Sequence, residues 1–200
     1  MPIDIDISGV PAEKRNRPTF LELQTQMQAA VNNPKWRAAF AAHEAGHKIY
    51  LERLGVTKFE FIGPHINYDA ERDDFDGSPA AVKAEPVSLS AAGFNFDEWL
   101  LKLAQTKAAG AVFSRVLTEA PNHGEGSDWE EFKQACDSLN EAMPDRNINA
   151  EAVWGQAKDA IQRELRKPAF RKECWREAKE IEASVFGALG AEGVLRPVSR

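Results

Sequence analysis

Hydrophobic positions recur along most of the chain at spacings of three and four, the period of an α-helix that buries one face. Phe20, Leu23, Met27 and Val31 form the first such stripe, headed by a T-x-x-E capping box at Thr19 and Glu22, where structure is expected to begin. It stops near Asn32 and Asn33. Asn33 reads as the N-cap of a second helix, with Pro34 at the first helical position, where its missing N–H costs nothing, and Gly55 as the C-terminal stop. Helical spacing returns from Asp97 to about Leu117, and a second capping box, Ser127 with Glu130, opens a helix through Leu139. Two further helices run from about Ala150 to Arg166 and from Pro168 to about Leu189.

Between the second and third helices the period changes to two. Lys58 to Gly63 alternates as a half-buried strand, and Ala81 to Leu89 is a second strand whose Pro86 suits an edge. Asp69 to Ser78 reads as an acidic, Gly-containing solvated loop, with cation binding or gating of a cleft as the alternatives, and Thr118 to Gly126 as a polar linker. Residues 1–18, with three prolines and no period, read as an extended, loosely tied N-terminal arm, leaving 19–200 as a single domain. The expected fold class is mainly α-helical (α+β), with a small β-sheet or hairpin beside the second helix.

Composition narrows the function classes. At 200 residues, 43% hydrophobic and 28% charged, the chain suits one globular domain with one sizeable core. With 31 acidic against 25 basic residues and no Lys/Arg run, nucleic acid is not expected as a partner. The N-terminus is acidic and no apolar run approaches the roughly 18 residues of a membrane span, so the expectation is no membrane association and a cytoplasmic location. Cys136 and Cys174 both lie inside amphipathic helical patterns and read as reduced core thiols.

The second helix contains His43-Glu44-Ala45-Gly46-His47, an H-E-x-x-H motif. Spacing of i, i+4 puts both imidazoles on one helix face, and they fill the missing steps of the apolar stripe Trp36, Phe40, Tyr50 or Leu51, Leu54. Inward-facing imidazoles need partners for their nitrogens, and one shared divalent metal satisfies both; two core histidines bonded to carbonyls are the alternative. Glu44, turned about 100° around the helix, suits a general base that reaches a metal-held water without ligating the metal. Ala45 and Gly46 are small enough for a close neighbour on that face. A catalytic zinc site needs a third protein ligand, and His65, His123, Glu125 and Asp128 are the candidates. Asp128 is the most structured of them, in Gly124-Glu125-Gly126-Ser127-Asp128, because glycines allow close approach and a first helical turn aims the side chain.

In motif order the chain resembles the peptidase domain of FtsH-type ATP-dependent zinc metalloproteases. The likeness rests on His43 to His47, the strand Lys58 to Gly63, the small-residue helix at Ala109-Gly110-Ala111 and the helix-opening Asp128 after Gly126-Ser127. It spans about Trp36 to Leu139 and continues weakly to Gly193-Val194-Leu195. The resemblance implies a zincin-like helical fold, Zn2+ as cofactor, Asp128 as third ligand ahead of His123, Glu125 and His65, and a strand near the metal that binds extended substrate. The ATPase module, the membrane segments and a Gly-x-x-x-x-Gly-Lys-Ser/Thr phosphate loop have no counterpart here. The expected function is therefore a zinc metalloendopeptidase acting on flexible or unfolded protein segments, with His43, His47 and Asp128 as metal ligands, Glu44 as general base, and a separate ATPase or adaptor as a possible partner. Its alternatives are a single-target regulatory peptidase and a non-catalytic zinc-binding or peptide-binding module, the latter with Cys136 or His123 closing the metal site.

Overall fold

The computed structural model describes residues 5–78, 81–84, 95–118 and 124–187. Six α-helices dominate these residues: α1 (Pro18–Asn32), α2 (Pro34–Glu52), α3 (Phe96–Thr118), α4 (Glu125–Ala142), α5 (Ala150–Leu165) and α6 (Pro168–Phe186). Four short strands, β1 (Phe59–Ile62), β2 (His65–Asp69), β3 (Asp74–Ser78) and β4 (Ala81–Ala84), form two antiparallel pairs, β1 with β4 and β2 with β3. The fold is thus mainly helical with a small β component, as the periodicity indicates. None of the described helices is long and apolar enough to cross a membrane. The strand pattern beyond Ala84, the end of the last helix at Leu189 and the Gly193-Val194-Leu195 tail lie outside the described residues.

The centre of the molecule is α2 lying against α3, with α6 on the other flank of α2, and α5 and α4 against α3. The contacting faces are built from small residues: Ala38, Ala41, Ala42, Ala45 and Gly46 on α2, and Ala104, Ala108, Ala109 and Gly110 on α3, all buried. A Cβ on Gly46 would lie 2.6 Å from the carbonyl carbon and oxygen of Ala109, so the two backbones touch there. Bulk is placed around this joint instead. Trp36 stacks on Phe40 with centroids 5.6 Å apart, Phe186 of α6 meets Phe40 edge-on at 5.7 Å, and Trp129, Phe132 and Trp154 join α4 to α5. Glu182 of α6 is fully buried beside Arg37 and Lys179, each 3.8 Å away, and burial pushes its carboxyl up.

Helix starts differ from the capping boxes read in the sequence. α1 begins at Pro18 after Arg17, which makes no side-chain cap, because the fixed φ and absent N–H of proline already suit a first position. α4 begins at Glu125 after Gly124, the N-cap position, which has a left-handed φ of +72°; Ser127 Oγ donates to the Gly124 carbonyl at 3.0 Å instead of capping. Asn33 does cap α2, its Oδ1 accepting from the Lys35 and Trp36 amides at 3.0 and 3.4 Å.

The N-terminal arm is not loosely tied. Asp6 bridges His65 in parallel, with the Asp6 amide on the Pro64 carbonyl and the Ile66 amide on the Asp6 carbonyl, both 2.8 Å. Val10, Phe20, Met27 and Ile66 form a second, smaller core, and one 3₁₀ turn at Ala12–Lys14 leads into α1. The expected acidic loop Asp69 to Ser78 is instead the turn and second strand of the β2–β3 hairpin. Phe75 is its one large apolar residue, too little for a visible alternation. Asp69 Oδ1 accepts from the Glu71 and Arg72 amides in the turn, and Asp73, at φ +49°, pairs with Lys14 and Arg17 of the arm.

At its C-terminal end α2 is tied to α5 by Glu164, which accepts from Tyr50 Oη at 2.6 Å and Arg53 Nη1 at 2.7 Å. Burial works to raise the Glu164 carboxyl, but the Tyr50 hydroxyl and the Arg53 guanidinium outweigh it and hold it below its ordinary value of 4.5. A depressed carboxylate stabilises the fold above its unfolded pKa and loses that contribution as pH falls through the folded one. Urea midpoints measured from neutral pH down through the carboxylate range should therefore fall on acidification, and Glu164→Gln should start lower at neutral pH and flatten that limb.

Candidate metal centre

His43 and His47 project from the middle of α2, and Asp128 reaches them from the first turn of α4. The Nε2 atoms of the two histidines are 2.9 Å apart, and Asp128 Oδ2 lies 3.2 Å from the first and 3.4 Å from the second. These three residues form a group that can hold a metal ion, the third ligand being the one that the motif order implies. Three vertices of a tetrahedron around zinc, at 2.0–2.1 Å from the ion, are roughly 3.3 Å apart, so the triangle has the size such an ion needs.

The donor chemistry agrees. His47 Nδ1 donates to the Thr106 carbonyl of α3 at 2.7 Å, which leaves Nε2 as a lone pair facing the cluster. Asp128 Oδ2 is shielded from solvent and makes no hydrogen bond, its neighbours being the two imidazoles. Lone pairs converging in a buried space repel one another unless a cation lies among them. Burial works against a charged His47, but Asp128, Glu44 and the Thr106 carbonyl outweigh it and raise its pKa. Burial likewise works to raise the Asp128 carboxyl, and the two imidazoles beside it hold it well below the usual carboxylate range.

Glu44 is half-buried next to this cluster and outside it. Burial pushes its carboxyl up, Asp128 adds to that, and His47, His43 and Lys107 pull the other way. A carboxyl raised in this manner is placed to exchange a proton nearer neutrality than an ordinary glutamate.

Glycines make the room. A Cβ on Gly110 of α3 would lie 2.6 Å from the Nε2 atoms of both His43 and His47, and one on Gly124 would meet His43 Cε1 at 2.4 Å. Gly124 is thus constrained twice, by its left-handed φ and by the imidazole against it. The close neighbour anticipated for Gly46 is the α3 backbone at Ala109.

Other candidate ligands are elsewhere. His65 sits on β2 beside the Asp6 bridge, its Nδ1 3.1 Å from the Gly63 carbonyl. Glu125 pairs with Lys158, and His123 lies outside the described residues. Cys136 is a fully buried core residue of α4 and belongs to no metal-ligating group among the described residues; Cys174 is equally buried, and burial pushes its thiol up to about 12. Both cysteines are free thiols. Sequence reasoning missed the Thr106 carbonyl, because a backbone acceptor carries no residue signature.

Elemental analysis of the purified protein should find about one divalent ion per chain, lost in Asp128→Ala. Gly110→Ala should lower metal affinity at least tenfold while leaving the helical circular dichroism in place, since its Cβ collides with the ligand nitrogens first.

Comparison with protein-family models, curated proteins and solved structures finds no match to this chain, so the functional reading rests on the geometry of the site itself.

Proposed function

We propose that this chain is a zinc-dependent metalloendopeptidase of the FtsH-type peptidase kind, acting on flexible or unfolded protein segments. The observation that carries the reading is the buried triangle of His43 Nε2, His47 Nε2 and Asp128 Oδ2 with the raised carboxyl of Glu44 beside it. Two imidazoles and one carboxylate are a borderline-to-hard donor set of the kind that holds catalytic zinc, short of the four closed ligands of a structural site. When bound, the ion supplies Lewis acidity for water and for the scissile carbonyl.

The chain's own residues do the rest. Asp128 lends its negative charge to the ligand set, and the Thr106 carbonyl fixes the His47 ring and its tautomer. Glu44 takes a proton from water and returns it to the leaving amine, which requires it to be ionised at the start of the cycle. Among the described residues β1 pairs with β4 alone, and we assign an extended peptide substrate to its other edge, added by β-pairing. These 200 residues carry no phosphate-loop motif, and we take the substrates to be segments that are already flexible or are delivered by a separate ATPase or adaptor.

Glu44→Gln should lower hydrolysis of an unfolded casein-type substrate by about 10²- to 10⁴-fold with the metal content unchanged. Undiminished hydrolysis would remove Glu44 from the mechanism, and no hydrolysis by the metal-loaded wild type would favour the non-catalytic module. The acid limb of kcat/KM reports the essential base of the free enzyme. With Glu44 as that base, activity should fall on acidification as protons fill its carboxylate, and the residual activity of Glu44→Gln should lack that limb.

A further inference from the structure

Away from the metal-facing side of α3, the molecule gathers positive charge around one cavity of about 360 Å³. Arg115 of α3, Lys158 of α5, Arg166 just after α5 and Arg171 of α6 lie on its wall, in a chain whose net charge is -6. Among the described residues Glu125 is the one acid on that wall, and Lys158 takes its carboxylate. Arg115, Arg166 and Arg171 have no ion pair with an acid among the described residues.

Arg171 is the informative member. Its Nη2 makes a long bond of 3.4 Å to the Val116 carbonyl, and its Nε is buried without any hydrogen bond. A guanidinium whose donors are not all met favours an acceptor that reaches it. Guanidinium forks match the oxygen pairs of phosphates and carboxylates. Three of them, uncompensated, exceed what a single carboxylate neutralises and call for a multiply charged anion. The cavity volume lies in the range of small-molecule sites rather than of polymer grooves.

We propose that this cavity binds a small phosphate-bearing anion, its oxygens held by Arg115, Arg166 and Arg171, with the Gln162 amide on the same wall. The site is separate from the proposed peptide cleft and does not depend on the peptidase reading. It adjoins the metal centre through the chain: Ala111 and Glu125 on its wall follow directly after Gly110 and Gly124, the two glycines pressed against the imidazoles.

Isothermal titration of the full chain with inorganic pyrophosphate, at an ionic strength held constant with sodium chloride, tests this. The expected result is saturable binding of one anion per chain, weakened at least tenfold in Arg171→Gln and in Arg115→Gln. Arg146→Gln, whose guanidinium stacks on Phe96 outside the cavity, should bind as the wild type does. Arg115 is exposed, so that variant reads the site without risk to the core. Absence of binding by the folded wild type would overturn the proposal. So would an affinity unchanged by Arg115→Gln and Arg171→Gln, the result expected of pyrophosphate held at the metal centre. Binding of succinate in place of pyrophosphate would overturn the phosphate assignment.

Discussion

Everything at the candidate site depends on how closely α2 approaches α3. Gly46 rests on the backbone at Ala109, and Gly110 rests on the imidazoles of His43 and His47. Each glycine in a helix interior costs about 1 kcal/mol relative to alanine, a penalty accepted here for proximity. That proximity brings the Thr106 carbonyl within 2.7 Å of His47 Nδ1 and leaves a space in which two imidazole nitrogens and a carboxylate oxygen converge. A larger side chain at either glycine would push the helices apart and aim the imidazoles elsewhere.

An interface of alanine and glycine buries little apolar area per residue, so stability has to come from its surroundings. The aromatic residues stand there: Trp36, Phe40 and Phe186 at one end of α2, Tyr50, Phe113 and Phe170 at the other, and Trp129, Phe132 and Trp154 between α4 and α5. The last group matters for chemistry as well as for packing. It fixes α4, and α4 carries Asp128 in its first turn, where the backbone is held by the left-handed turn at Gly124. A buried carboxylate on a frayed helix end would swing out to water; on an anchored one it stays against the histidines.

The polar groups of the interior follow the same division between holding and reacting. Tyr50, Arg53 and Glu164 are mutually hydrogen-bonded and close a joint between helices. Glu44 is half-buried, raised by its surroundings and outside the ligand cluster, the condition of a group kept available for proton transfer. The cationic cavity shows the third case, with guanidiniums from separate elements facing a common space and no ion pair between them and an acid among the described residues.

Much of this is written in local sequence. The helices over 34–52, 96–118, 150–165 and 168–186 follow from period and from Asn33, Pro34 and Pro168, because helix formation is governed by neighbours three and four residues apart. The H-E-x-x-H spacing puts two imidazoles on one face for the same reason, and Gly46 announces a close neighbour without naming it. The β2–β3 hairpin was illegible, since Phe75 and Ile66 acquire their buried face only from Val10, Phe20 and Met27 of distant segments. The capping boxes at Thr19 and Ser127 were legible and misleading, as Pro18 and Gly124 set the helix starts first. Motif order pointed to Asp128 as the partner of the histidines; tertiary structure alone decided the distances at which they meet, that a carbonyl of α3 orients one of them, and that three arginines from α3, the end of α5 and α6 share a cavity. These are contacts between residues tens of positions apart, and the geometry of such contacts is set by how whole helices pack, which no local pattern encodes.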